Sequence, residues 1–149
     1  MPTSMLTDEY FMRQALAEAR QALAEGEIPI GAVVVLDNTI IGRGHNQTER
    51  LRDVTAHAEM LALSAAANFV GNKYLTACSL YVTIEPCVMC AGASNWAQVK
   101  QLIYGADEPK VGYQRHGTGL LHPRTQVRRG VLAEECAALM RDFFLAKRK

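Results

Sequence analysis

A three-layer α/β/α fold, with a mixed five-stranded sheet between two layers of helices, is the architecture this 149-residue sequence predicts. Three observations carry that expectation. Apolar, β-branched runs of strand length alternate with longer runs of helical periodicity. Turn residues join the first two strands into a hairpin, and Gly or Pro marks several of the changes from one kind of run to the next. The order reads α-β-β-α-β-α-β, followed by a fifth strand and a closing helix.

Between Asp8 and about Glu25, Met12, Leu16, Ala19 and Leu23 recur at helical spacing. Thr7 or Asp8 can cap the start of this helix, and Gly26 stands where it should stop. Gly31 to Leu36 is apolar on both faces, and Asp37-Asn38 is turn chemistry ahead of a second strand, Thr39 to Gly42. A polar loop from Asn46 to about Val54 leads into an Ala- and Leu-rich helix, Ala56 to Ala67. Ser79 to Ile84 alternates as a strand. Pro86, favoured in the first turn of a helix, introduces a helix from Cys87 to about Ala97, and Gln101 to Tyr104 follows as a short apolar strand. From Gly105 to Thr125 the sequence supports an irregular loop or one short helix. Gln126 to Arg129 is the expected fifth strand, and Leu132, Cys136, Leu139 and Phe143 line one face of a last helix running to about Ala146.

At 49% hydrophobic residues the chain can bury a substantial core, and residues 1–149 read as one domain with no linker or repeat. Sixteen basic against fifteen acidic side chains leave a formal charge of +1, so any nucleic-acid binding must come from local arrangement, not bulk charge. The longest apolar stretch, Ile28 to Leu36, contains Pro29 and Gly31 and falls far short of the roughly 18 to 20 residues that span a bilayer, so no membrane helix is expected. Asp8 and Glu9 precede any apolar run and no basic leader is present, which points to a cytoplasmic protein. In a reducing compartment a close pair such as Cys87/Cys90 binds metal or does redox chemistry more often than it forms a disulfide.

The chemistry concentrates in two short segments. His57-Ala58-Glu59 opens the second helix and Pro86-Cys87-Val88-Met89-Cys90 opens the third. Positions three apart share a helix face, so Cys87 and Cys90 can present two thiolates to one ion, with His57 adding an imidazole nitrogen from the neighbouring helix start. Three protein ligands leave a tetrahedral position for water, which distinguishes a catalytic Zn²⁺ from a closed structural one. Both helix N-termini would face the ion and favour thiolate over thiol. Residues two apart diverge in mid-helix, so His57 and Glu59 reach one site only if the metal sits over the helix end; Glu59 is then free for general acid/base work.

This set, His-x-Glu followed by Pro-Cys-x-x-Cys, resembles the zinc nucleobase deaminases of the cytidine/deoxycytidylate deaminase superfamily. Three stretches resemble the bacterial tRNA-specific adenosine deaminases of the TadA type more narrowly: Glu27-Ile28-Pro29-Ile30-Gly31-Ala32-Val33, Thr55 to Glu59, and Tyr81 to Ala93; similarity also covers Gly130 to Phe144. The resemblance implies the cytidine-deaminase-like fold, one Zn²⁺ per chain, a homodimer, and hydrolysis of adenosine to inosine at the wobble position of a tRNA anticodon loop. It implies His57, Cys87 and Cys90 as zinc ligands and Glu59 as the proton shuttle. Asn46 becomes the amide that hydrogen-bonds the extruded base, with Ala58 and Pro86 framing the pocket and Ile30 and Ile84 as apolar walls. Residues 107–125 depart from the family wording, with Glu108-Pro109-Lys110-Val111-Gly112-Tyr113-Gln114-Arg115-His116 in its place.

Two other readings compete: a deaminase of a free purine base such as guanine, and a zinc-stabilised RNA-binding module without turnover. A closed zinc knot would need a fourth ligand from His45, His116, His122, Cys78 or Cys136. Cys136 and Cys78 read instead as buried core, and Trp96 as core or dimer interface. Arg115, Arg124, Arg128, Arg129 and Lys147 to Lys149 form either a basic face for phosphates or a solvated surface.

Overall fold

A computed structural model describes residues 5–117 and 119–147; Arg148 and Lys149 of the basic tail lie outside the described residues. The elements are α1 (Asp8–Ala24), β1 (Gly31–Leu36), β2 (Thr39–His45), α2 (Ala58–Val70), β3 (Ser79–Ile84), α3 (Val88–Ala97), β4 (Gln101–Ala106), a 3₁₀ turn (Tyr113–His116), β5 (Gln126–Arg129) and α4 (Ala133–Lys147). The strands form one mixed sheet in the order β2-β1-β3-β4-β5. β1 is antiparallel to both β2 and β3, whereas β3, β4 and β5 run parallel.

Local chemistry accounts for the joints. Thr7 caps α1, its Oγ1 accepting from Tyr10 N–H at 3.1 Å. Asp37 and Asn38 both adopt positive φ, the conformation a two-residue hairpin turn requires. Because β1 is covered on both sides, its side chains divide by parity. Ala32 and Val34 join the layer under α2 and α3 with Leu80, Val82, Leu102 and Tyr104. Val33 and Val35 join the layer under α1 and α4 with Phe11, Leu16, Tyr81, Ile103 and Cys136. This is the expected sandwich of helices about a mixed sheet.

β2 runs three residues beyond its predicted end, through Arg43, Gly44 and His45, and its two glycines have a packing reason. A Cβ on Gly44 would strike Ala58 O and come within 2.7 Å of Ala62 N, so α2 lies directly on the strand backbone there. Gly44→Ala should therefore destabilise the fold by about 1–3 kcal/mol, read as a lower urea midpoint. α2 itself begins two residues later than its Ala-rich sequence suggests, because His57 is extended and acts as its N-cap.

Candidate metal centre and pocket

The antiparallel β2-β1-β3 arrangement followed by parallel β4 brings four chain ends to one edge of the sheet: the entry to β1 and the exits of β2, β3 and β4. α2 and α3 both start at this edge. His57 is the N-cap of α2, Cys87 is the N-cap of α3, and Cys90 lies in the first turn of α3. The two ligand-bearing helices thus present their unsatisfied backbone N–H ends to the same point. Pro86 precedes the N-cap and does not enter the first turn as expected.

His57 Nδ1 lies 3.6 Å from Cys87 Sγ and 3.5 Å from Cys90 Sγ. A tetrahedral zinc with a nitrogen ligand at about 2.1 Å and a sulfur ligand at about 2.3 Å separates the two donors by about 3.6 Å. The three donor atoms therefore stand at the spacing such an ion demands. All three lie within 4.8 Å of one another, and among the described residues no fourth histidine, cysteine or acidic oxygen joins the group. His45 bonds Glu18 and Glu25 instead, at 3.4 and 3.0 Å, while Cys78 and Cys136 are buried in the core as expected.

Protons in this centre are shared. The Cys87 thiol is held down to about 4 by its hydrogen bond with Cys90 and by His57 beside it. Cys90 is pushed up by that same bond and by burial, so it keeps the shared proton. His57 is raised by its bond to Cys87. A divalent ion must displace these protons, so its affinity falls as the pH falls. At pH 7 binding should release about one proton or more per zinc, measurable as a dependence of the calorimetric enthalpy on the ionisation enthalpy of the buffer.

Glu59 sits in the first turn of α2, 4% exposed. Burial pushes its carboxyl up to about 7, with the Cys87 charge adding to the rise, and its side chain meets Cys90. A carboxyl that titrates near neutrality is suited to taking up and returning a proton.

A cavity of about 800 Å³ opens over His57, Glu59 and Cys87. Asn46, Ala58, Ile30 and Ile84 stand in its wall. Asn46 is 5% exposed; its Oδ1 accepts from Thr48 N–H and its Nδ2 donates to Ile28 O, both at 3.4 Å, so it makes a turn and also lines the cavity. Pro86 does not line it. Its carbonyl accepts from Tyr113 N–H at 2.9 Å, so it frames the neighbouring loop and not the pocket.

Sequence reasoning missed two parts of the wall. Lys110 and Val111, in the divergent segment, and Met140, Arg141, Phe144, Leu145 and Lys147, from α4, form the outer rim. A signal for α4 existed: Phe144 and Leu145 lie off the face of Cys136 and Phe143 and add exposed apolar surface that packing on the sheet does not use. Buried acids in apolar stretches were a second unread signal. Glu27, 2% exposed, accepts from Glu49 N–H at 3.1 Å and Arg50 N–H at 2.7 Å, tethering the loop after Asn46.

The proposed basic face is divided. Arg128 binds Asp8 at 2.7 Å across the sheet edge, and Arg129 bonds Gln114 at 3.0 Å and approaches Asp107 at 3.8 Å. Cations at the cavity are Lys110, Arg141 and Lys147. Trp96 is 83% exposed, which removes the core option; its indole projects from α3, where no sheet contact draws it inward.

Residues 5–106 match the family model for the cytidine and deoxycytidylate deaminase zinc-binding region. A tRNA-specific adenosine deaminase of Streptococcus pyogenes is 47% identical over 97% of this chain and 94% of its own. A solved structure from work on A-to-I editing by tRNA:A34 deaminases at the wobble position of transfer RNA superposes with a TM-score of 0.82 at 41% identity, over 87% of this chain and 98% of that one. The guanine deaminase of Nitrosomonas europaea superposes with a TM-score of 0.78 at 28% identity, over 96% and 87%.

Proposed function

Because the chain belongs to the cytidine and deoxycytidylate deaminase family of zinc-binding domains, we propose that it hydrolyses adenosine to inosine in tRNA, at the wobble position of the anticodon. The observation that carries this reading is a rim built from Lys110, Arg141, Lys147 and Phe144 around a cavity floored by the metal group and Glu59. Cations for phosphates and an aromatic for a base face are what a single-stranded nucleic acid needs beside an extruded nucleotide.

His57, Cys87 and Cys90 would hold one zinc, and the ion would supply Lewis acidity toward water at this end of the cavity. The work of this chain is to move protons and hold the base. Glu59 takes a proton from the attacking water and delivers it to a ring nitrogen of the purine. It then takes the second proton from the hydroxyl now on C6 and passes it to the amine as the C6–N bond breaks, so adenosine and water become inosine and ammonia. Asn46 offers its amide to the polar edge of the base. Ile30 and Ile84 supply flat apolar contact to its faces, and the backbone at Ala58 closes the floor.

The test is incubation with an anticodon stem-loop RNA bearing a wobble adenosine, alongside adenosine, guanine and cytidine, with ammonia and inosine as readouts. Inosine in the RNA is the expected result. Ammonia from guanine alone supports the second reading, a free-base deaminase, which the likeness to the Nitrosomonas enzyme favours. Among the described residues no helix is long and apolar enough to cross a membrane, and a tRNA substrate supports a cytoplasmic reading.

We propose that the homodimer expected from the family resemblance forms through the side of α3 that carries Trp96 and Val88, a reading supported by their 83% and 43% exposure. Trp96→Glu should convert the dimer to a monomer in sedimentation velocity, because a charge would replace a buried aromatic at the contact.

A further inference from the structure

Glu85 stands between the end of β3 and the Pro86-Cys87 step and is 5% exposed. Its carboxylate is occupied entirely by main chain from the divergent segment. Oε1 accepts from Glu108 N–H at 2.9 Å, and Oε2 accepts from Gln114 N–H at 3.0 Å. The segment is shaped to fit this group: a Cβ on Gly112 would run into the Glu85 carboxylate and lie 2.5 Å from Glu108 O. A short bridge between Gly112 and Cys87 and the Tyr113 N–H bond to Pro86 O join the same loop to the strand exit. Between the two amides that Glu85 holds stand Pro109, Lys110 and Val111, which face the cavity.

We propose that Glu85 is a positioning residue for a polynucleotide substrate: it fixes the 108–114 loop so that Lys110 is presented at the cavity mouth to the phosphate chain beside the target nucleotide. The inference rests on the RNA reading above. A carboxylate suits the task because it is acceptor-only, with an oxygen for each amide and charge-assisted bonds to both. A carboxamide of the same shape offers one acceptor and turns an NH₂ group against the second N–H, which frees one end of the loop. An unfixed loop must be ordered at each binding event, and that cost falls on affinity. The metal ligands and Glu59 are carried by the starts of α2 and α3 and the loop meets them only at the Gly112–Cys87 bridge, so the loss should fall on binding more than on the chemical step.

The experiment is steady-state deamination of an anticodon stem-loop RNA by the zinc-loaded enzyme and the variants Glu85→Gln, Gly112→Ala, Lys110→Ala and Glu85→Gln/Lys110→Ala, with zinc content measured for each. Glu85→Gln should raise KM about tenfold with kcat within about twofold, and one zinc per chain should remain. Gly112→Ala, which keeps the Glu85 carboxylate chemically intact but sets a methyl group against it and so displaces the loop, should reproduce the effect and serves as the test if Glu85→Gln does not fold. The double variant should be no worse than the poorer single one, since the loop matters through the cation it carries. Additive losses, an unchanged KM, or a fall in kcat together with zinc content would each overturn the inference while leaving the substrate reading intact. A wild-type enzyme that forms no inosine in the RNA would overturn both.

Discussion

Glu59→Gln should lower kcat by about 10²- to 10⁴-fold and leave one zinc per chain. The expected loss is large because two protons must pass in turn from the water to the purine and its leaving amine, and Glu59, in the first turn of α2, lines the cavity beside His57 and Cys87. Its near-complete burial holds the carboxyl at about 7, where uptake and release are both easy. Glutamine keeps the volume and one acceptor oxygen but carries no exchangeable acidic proton, so packing and metal retention are preserved while relay is lost. Kinetics on the stem-loop RNA with metal analysis by mass spectrometry gives the result. Retained turnover would transfer the proton work to another group, and lost zinc would make the effect structural.

Cys90→Ala should abolish turnover altogether and leave less than stoichiometric zinc. Removing one donor leaves His57 and Cys87, and two ligands do not hold a tetrahedral ion at useful affinity. The consequence for stability follows from linkage: an ion bound only by the folded chain stabilises it, so the wild-type melting temperature should fall on chelation and the variant should not respond. Cys78→Ala is the matched control, since Cys78 is equally buried, 2% exposed, and lies outside the metal group. It should lose some stability through the small void and keep full zinc and full activity. Zinc retained in Cys90→Ala would mean that another side chain completes the sphere.

The strands with one unambiguous local pattern were legible to the residue. β1 and β3 have the bounds their apolar runs and turn residues predict, while β5, with one apolar residue in four, forms where expected by pairing with β4. β2 was read short because Gly42 and Gly44 look like turn residues, whereas their lack of a side chain serves the approach of α2. The metal group was legible because its spacing is local in each half, His57 to Glu59 and Cys87 to Cys90. The rim was not, for a physical reason. The 107–117 segment has little structure of its own and takes its path from Glu85, Pro86 and Cys87, more than twenty residues earlier. α4 reaches the cavity only because the sheet places β4 beside β3, a pairing that no window along the chain reveals.

The β1–β2 hairpin turns at Asp37-Asn38, while its other end, where Gly31 pairs with His45, borders the pocket. Six strand residues at about 3.3 Å each put the turn about 20 Å from that mouth. Such a tip is a natural attachment point. A fluorophore, an affinity handle or a whole guest protein grafted there would project away from the incoming nucleic acid. The fold thus offers engineers a handle at one pole and does its chemistry at the other.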